Sequence, residues 1–332
     1  MRCPTLNELP PPSDKLGWPW TEESFHLPER MPDGSEWPRI SIVTPSYNQA
    51  QFLEETIRSV LLQGYPHLEY IIIDGGSSDI SVEIIQKYTS WLAYWISEPD
   101  RGQADALNKG FAHATGEICA YLNSDDLLIP DTLFSVAVAF KQIQCQWLAS
   151  RVLVGESMTE AKVWEPGIDS FPGFVAQQSF AQQGVFWRSE VAEKPYFDIT
   201  RRYILDHCFF VRIYQNYGSP HILFQITAFF RLHETSKTST MIDTLDAERA
   251  ELAEYVCSKA PTLVKNHIHR EQQRTLYKVE AHQLLERRQK PFRYRVAAAL
   301  RAIVLLVQDP YPFRDCIFAS VAVKLLARVF IF

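Results

Sequence analysis

Cysteine is scarce in this chain of 332 residues, and the six that occur (Cys3, Cys119, Cys145, Cys208, Cys257, Cys316) lie far apart with no Cys-x-x-Cys pair. No apolar run near the N-terminus reads as a secretory signal, so a reducing, cytoplasmic setting is expected. Glycine (13) and proline (20) are too few and too scattered for a collagen-like or low-complexity chain. The prolines lean towards the start, where Pro10, Pro11, Pro12, Pro19, Pro28, Pro32 and Pro38 interrupt any helix. Residues 1–38 therefore read as an irregular lead-in. Internal repeats are absent, and no apolar run is long enough to cross a bilayer without interruption.

What is present is a chain 46% hydrophobic and 22% charged, enough to bury one large core or two modest ones. The net charge of −6 is uneven. From Lys290 to Phe332 seven Lys or Arg stand against Asp309 and Asp315, a local net of +5 that leaves −11 for the remainder. An acidic body disfavours broad nucleic-acid binding, whereas the basic, apolar tail suggests an anionic membrane surface.

Between residues 39 and 122 short β-branched runs alternate with amphipathic stretches, the mark of a βαβ series. Strands are expected at Arg39–Thr44, Tyr70–Ile73, Trp91–Ile96 and Ile118–Leu122, with helices near Gln49–Gln63, Ile80–Tyr88 and Gln103–Ala114. Further on, strands are expected at Trp147–Val154, Gly184–Arg188 and His221–Leu232, a helix at Tyr203–Tyr217, and helices across residues 242–290. The order implies an α/β fold with a mostly parallel sheet, whose ligands bind beyond the carboxyl ends of the strands. No Gly-x-Gly-x-x-Gly follows the first strand, which argues against a dehydrogenase. Nor does a Gly-rich, basic loop stand there to grip a triphosphate, which argues against a sugar nucleotidyltransferase.

Three turns share the rim so defined. Asp74-Gly75-Gly76-Ser77 lets the backbone approach a flat ligand and leaves the Asp74 carboxylate free to accept from a ring N–H or ribose hydroxyl, unless the turn merely caps a helix through Ser78 or Asp79. Asn123-Ser124-Asp125-Asp126 sets adjacent carboxylates where a hard divalent cation could bridge protein and diphosphate, or where they could cap the helix starting near Pro130. Arg101 and Asp105, at a loop-to-helix junction, could meet phosphate and sugar, or form ordinary first-turn capping chemistry.

Val43-Thr44-Pro45-Ser46-Tyr47-Asn48, Asp74 through Asp79, Gly102 through Gly110 and Leu122 through Asp126 together resemble, in order and spacing, the family 2 inverting glycosyltransferases of GT-A fold. The resemblance covers about residues 39–240. It implies a nucleotide-sugar donor with Asp74 on the base, Thr44 and Tyr47 lining the nucleotide pocket, and Asn123, Ser124 and Asp125 at the donor. Asp125 and Asp126 are implied as ligands of Mn²⁺ or Mg²⁺. Asn123 stands where many relatives have Asp, so the contact with donor ribose or sugar is expected to differ. Gln183–Arg188 and Tyr203–Cys208 resemble acceptor-side segments, with Asp206 at the position of the catalytic base; Cys208 replaces a second Asp of many relatives. Arg231-Leu232-His233, followed by Ser236-Lys237, resembles a closing segment in which His233 approaches the metal or stands as a polar strand end.

The expected organisation is thus a lead-in (1–38), a GT-A domain (39–240) and a helical C-terminal extension (241–332). The expected activity is transfer of a sugar from a nucleotide diphosphate, UDP foremost, to a hydroxyl of a glycan or lipid-linked glycan acceptor. An inactive scaffold that keeps the sheet is the alternative. Helices expected near Tyr294–Gln308 and Cys316–Phe332 either lie in the inner face of the cytoplasmic membrane, pack on the domain or dimerise.

Overall fold

The computed structural model describes residues 3–12, 14–167, 170–234, 236 and 242–286. The chain through Phe171, with Gln178–Leu252, forms one compact unit, and residues 172–177 with the chain from Ala253 onward form another. The expected tail helices and Lys237 lie outside the described residues. Among those that are described, no helix is long and apolar enough to cross a membrane.

Four parallel strands, β1 (Ile40–Ser46), β2 (Leu68–Asp74), β3 (Tyr94–Ser97) and β4 (Ile118–Tyr121), stand in the order β3-β2-β1-β4. All of β1 and every residue of β2 except Glu69 are buried, as central parallel strands covered on both faces must be. The connecting helices are α1 (Ala50–Leu61), α2 (Ser81–Lys87) and α3 (Gln103–His113). Helix α3 lies so close to the sheet that a Cβ at Gly110 would collide with Val43 Cγ1 and stand 3.2 Å from Ile73 Cγ1.

The second half is β5 (Leu127–Leu128), α4 (Thr132–Ile143), β6 (Trp147–Gly155), β7 (Lys162–Trp164), α5 (Phe171–Ala176), β8 (Val185–Arg188), α6 (Leu205–Tyr217), β9 (His221–Arg231), α7 (Ile242–Lys259) and α8 (Thr262–Glu286). It extends the sheet as β4-β8-β6-β9-β5, with β7 beside β6. Strand β8 is antiparallel to both neighbours, and β9 runs parallel to β6. The result is the expected mixed, mostly parallel sheet flanked by helices, followed by a helical extension. Strands β5 and β7 escape sequence reading because two or three residues show no period, and β7 is exposed throughout.

The described residues of the lead-in are irregular apart from one 3₁₀ turn, Leu6–Glu8, and an isolated bridge between Arg30 and Glu36, yet they are packed: Leu9, Trp18, Trp20, Met31 and Trp37 are buried. Arg58 of α1 ties it down. This fully buried guanidinium donates to the carbonyls of Pro10 (2.9 Å), Pro19 (3.0 Å) and Trp20 (3.1 Å) and lies over the Trp20 ring. Its Nη1 also reaches the Tyr88 hydroxyl, which donates in turn to Glu54.

Candidate functional site

The carboxyl ends of β1, β2 and β3, the start of α3 and the turn after β4 surround a cleft of about 780 Å³. Its lining includes Tyr47, Gln49, Gly75, Gly76, Asp100, Gln103, Asn123, Ser124, Asp125, Phe230 and Ser236.

The acidic turn after β4 is built from behind by α1. Thr56, fully buried, donates its hydroxyl to the carbonyls of Ser124 (2.9 Å) and Asp126 (2.8 Å), and Ser59 Oγ accepts from Leu128 N (3.1 Å). Gln63 donates to Ile129 O (3.0 Å) and accepts from Leu133 N (3.3 Å). These three residues form a polar stripe on a face that would otherwise be apolar.

The two adjacent carboxylates diverge. Asp125 lines the cleft, and its Oδ2 lies 3.0 Å from His233 Nε2. The His233 ring packs against Phe52, and Arg231 backs the pair by donating to Asp125 O (3.0 Å) and pairing with Glu55 (2.9 Å). Asp126, expected beside it as a metal ligand, is fully buried and accepts from Arg231 N (3.0 Å), Gln183 Nε2 (2.8 Å) and Asn123 Nδ2 (3.1 Å). Burial pushes its carboxyl well above the usual range, and the neighbouring Asp125 charge adds to this. Its role is to join the ends of β4 and β9 to the turn before β8. Asn123 spans cleft and core, since its Oδ1 accepts from Gln103 Nε2 (2.7 Å).

On the other side of the cleft two of the expected residues, Asp74 and Thr44, are buried. Asp74 is fully buried, and local donors occupy both of its oxygens: Ser77 N (2.8 Å), Ser97 Oγ (2.7 Å) and Gly76 N (3.2 Å) on Oδ2, and Ser77 Oγ (2.6 Å) on Oδ1. The carboxylate expected to be free instead shapes the turn and binds β3 to β2. Thr44 is likewise buried, 3.1 Å from the Tyr70 hydroxyl. Arg101 and Asp105 bond to one another (2.6 Å), and this bond holds the Asp105 carboxyl below its usual range despite burial. Asp79, one residue ahead of Ile80 at the N-cap of α2, accepts from Ser81 N and from Ala50 N, both at 3.0 Å. Tyr47 is exposed by 62% and lines the cleft as expected of it.

Asp206 sits in the first turn of α6, half-buried, where a helix N-terminus favours negative charge. Gln178 Nε2 lies 3.4 Å from its Oδ2. The Tyr121 phenol at the end of β4 is pushed far above its usual range by burial, and the Asp206 and Asp126 charges add to this, so the three groups are electrostatic neighbours. The segment leading into α6 is clamped from α7. The nearly buried Glu248 carboxylate accepts from the backbone N–H groups of Arg202 (2.7 Å), Tyr203 (2.9 Å) and Ile204 (2.9 Å), while Glu251 pairs with Arg201. Nothing in the sequence connects α7 to the candidate base. Burial pushes the Cys208 thiol up to about 12, so it offers a neutral group where a second carboxylate is common.

Comparison with known proteins places this geometry. The sequence profile of glycosyl transferase family 2 matches residues 41–209, just over half of the chain. An uncharacterized glycosyltransferase of Mycobacterium tuberculosis is 43% identical over 90 residues, covering 27% of this chain and 34% of that protein. TuaG of Bacillus subtilis, named as a teichuronic acid biosynthesis glycosyltransferase, is 39% identical over 99 residues, 29% of this chain and 39% of its own. The chain thus spans little more than about a third of the length of these curated relatives. Among solved structures, Staphylococcus aureus TarS 1–349 in complex with UDP-GlcNAc has a TM-score of 0.55 at 17% identity, covering 72% of each chain. The mannosyltransferase PcManGT of Pyrobaculum calidifontis, in complex with GDP-Man and Mn²⁺, has a TM-score of 0.53 at 18% identity, covering 88% of this chain and 87% of that one. The sheet order agrees with this GT-A likeness, and on the profile match the chain belongs to glycosyl transferase family 2.

Proposed function

We propose that the cleft holds the nucleoside diphosphate of a UDP-sugar and that the chain transfers the sugar, with inversion at the anomeric carbon, to a hydroxyl of a glycan or lipid-linked glycan. One observation carries this reading: a single cleft beyond the carboxyl ends of the strands is lined both by an exposed aromatic, Tyr47, and by a carboxylate bonded to an imidazole, Asp125 with His233. A cleft of this size suits a nucleotide sugar.

Asp125 Oδ2 and His233 Nε2, 3.0 Å apart, are the residues that would hold a Mn²⁺ or Mg²⁺, and among the described residues no third His, Cys, Asp or Glu joins them. An ion bound there would neutralise charge on the departing diphosphate. The buried Asp126 supports this pair without joining it. Asp206 takes the proton from the acceptor hydroxyl on the face opposite the leaving group, and Gln178 and the Glu248 clamp orient it. No covalent link to the enzyme is needed. Residues 39–240 carry this chemistry, and the extension from 241 places it. The basic tail would bring the enzyme to an anionic inner membrane surface, an idea that fails if protein lacking residues 290–332 still floats with liposomes.

Asp206→Asn should bind UDP with Mn²⁺ as wild type does and lose transfer by about 10²- to 10⁴-fold. A small loss removes Asp206 as the base. Failure of every nucleotide to stabilise the wild-type chain, with or without Mn²⁺, would leave the inactive scaffold as the better reading.

A further inference from the structure

The sheet carries an exposed indole on the same face that opens into the cleft. Phe230 of β9 lines the cleft and stands in register with Val154 of β6, which stands opposite Lys162 of β7. One row back from the carboxyl ends of β6 and β9, the same three strands set Ala228, Val152 and Trp164 side by side. Residues directly opposite in paired strands share a face, as do residues two apart in one strand. All six side chains therefore stand on the face that Phe230 presents to the cleft.

That face is covered on one side only. Val152 and Ala228 are buried with Ala181 in an apolar cluster that Val154 and Phe230 extend. Ala181 belongs to the segment that carries Gln178, 3.4 Å from Asp206, and Gln183, which donates to Asp126. Past this cover, on the outer strand, Lys162 is exposed and Trp164 is 39% exposed. Single aromatics in solvent occur on any protein surface. What distinguishes Trp164 is its place, in line with a cleft residue and beside the segment that meets the candidate base. With strands about 4.8 Å apart and residues about 3.3 Å apart along each, Trp164 stands roughly 12 Å from Phe230.

We propose that Trp164 is the platform of an outer acceptor subsite: the flat C–H face of a pyranose ring stacks on the indole, and Lys162 donates to oxygens of the same glycan. The sugar that receives transfer lies nearer the cleft, at the Phe230 end of the face. One ring does not reach from there to Trp164, so the acceptor is a glycan of at least two sugar units rather than a single sugar. This rests on the donor-site reading above and names the size and chemistry of the acceptor.

Binding of the full chain, with UDP and Mn²⁺ present, to an array of bacterial polysaccharide fragments and defined oligosaccharides graded in length from single sugars upwards tests the assignment. Wild type should retain oligosaccharides in preference to single sugars. Trp164→Ala should weaken that retention by about tenfold or more, and Trp164→Phe, which keeps an aromatic face, by less. Phe224→Ala removes another exposed ring, one that packs against Arg151, and should leave retention as it is. Calorimetry should give one UDP affinity for wild type and all three variants, since neither Trp164 nor Phe224 lines the cleft. Undiminished retention by Trp164→Ala, an equal loss in Phe224→Ala, or single sugars held as tightly as oligosaccharides would overturn the proposal. So would a wild-type chain that binds UDP and no glycan on the array, with the donor site left standing. Weakened UDP binding in Trp164→Ala would make the indole a support of the fold and overturn the subsite too. Failure of the wild type to bind any nucleotide brings down the donor-site reading, and this proposal with it.

Discussion

Replacing Thr56 by valine tests whether α1 holds the acidic turn in place. The threonine hydroxyl is fully buried and shares its one proton between Ser124 O and Asp126 O, the carbonyls on either side of Asp125. Valine keeps the shape and removes the donor. Burial then leaves carbonyl oxygen without its side-chain donor, at a cost of about 1–3 kcal/mol. At about 2–4 °C per kcal/mol for a unit of this size, the melting temperature should fall by roughly 2–12 °C. Thr56→Ser keeps the proton and loses one buried methyl group, about 1 kcal/mol, so its loss should lie at the bottom of that range. Because the freed carbonyls flank Asp125, the valine variant should also weaken Mn²⁺-dependent UDP binding, whereas the serine variant should not. Differential scanning fluorimetry and calorimetry read the two effects. A valine variant as stable as wild type, with unaltered UDP affinity, would refute the argument that this hydroxyl organises the turn.

Asp125→Asn should melt within a few degrees of wild type, yet lose the extra stabilisation that Mn²⁺ gives to UDP binding, by at least about tenfold in affinity; the same loss without Mn²⁺ would count against a metal at this carboxylate. Arg58→Met removes the side-chain donor from two buried carbonyls and one half-buried carbonyl of the lead-in and should cost about 3–5 kcal/mol, with faster proteolysis between residues 10 and 20; an unchanged cleavage rate would mean the strap is held by its tryptophans alone. The Arg101 hydrogen bond depresses the Asp105 carboxyl in the folded state. Its stabilising contribution is therefore fully present above about pH 4 and fades as pH falls through the folded value. The melting-temperature gap between wild type and Asp105→Asn should accordingly be largest near neutral pH and close in acid, and a gap independent of pH would contradict this linkage.

The parallel core was legible because strands covered on both faces leave uninterrupted apolar runs, Ile71-Ile72-Ile73 above all, and a residue at the end of such a run lies on the ligand-binding rim. The sequence does not say towards which side each rim residue turns. Asp125 and Asp126 sit in a turn closed by the bond from Asp126 N to Asn123 O (3.1 Å), and one carboxylate enters the cleft while the other enters the core, a divergence that adjacency in sequence does not announce. Asp74 differs from the expectation for another reason: Ser77 and Ser97 both donate to it, and Ser97 comes from a different strand, so its enclosure is a tertiary fact that no local pattern announces. Thr56, Ser59 and Gln63 carry the opposite lesson. Their spacing of three and four, on α1 and just past its end, looks like a solvated stripe, and only the folded chain places backbone donors and acceptors of residues 124–133 against it. Arg58, one position from that stripe, is charged and wholly buried because the lead-in folds back over it and three of its carbonyls accept from the guanidinium. A single helix thus joins the irregular first residues to the acidic turn. Loosening the lead-in should therefore disturb donor binding through α1, although none of its described residues lines the cleft. Arg58→Met is the variant that can show this, by a fall in Mn²⁺-dependent UDP affinity measured well below its melting temperature.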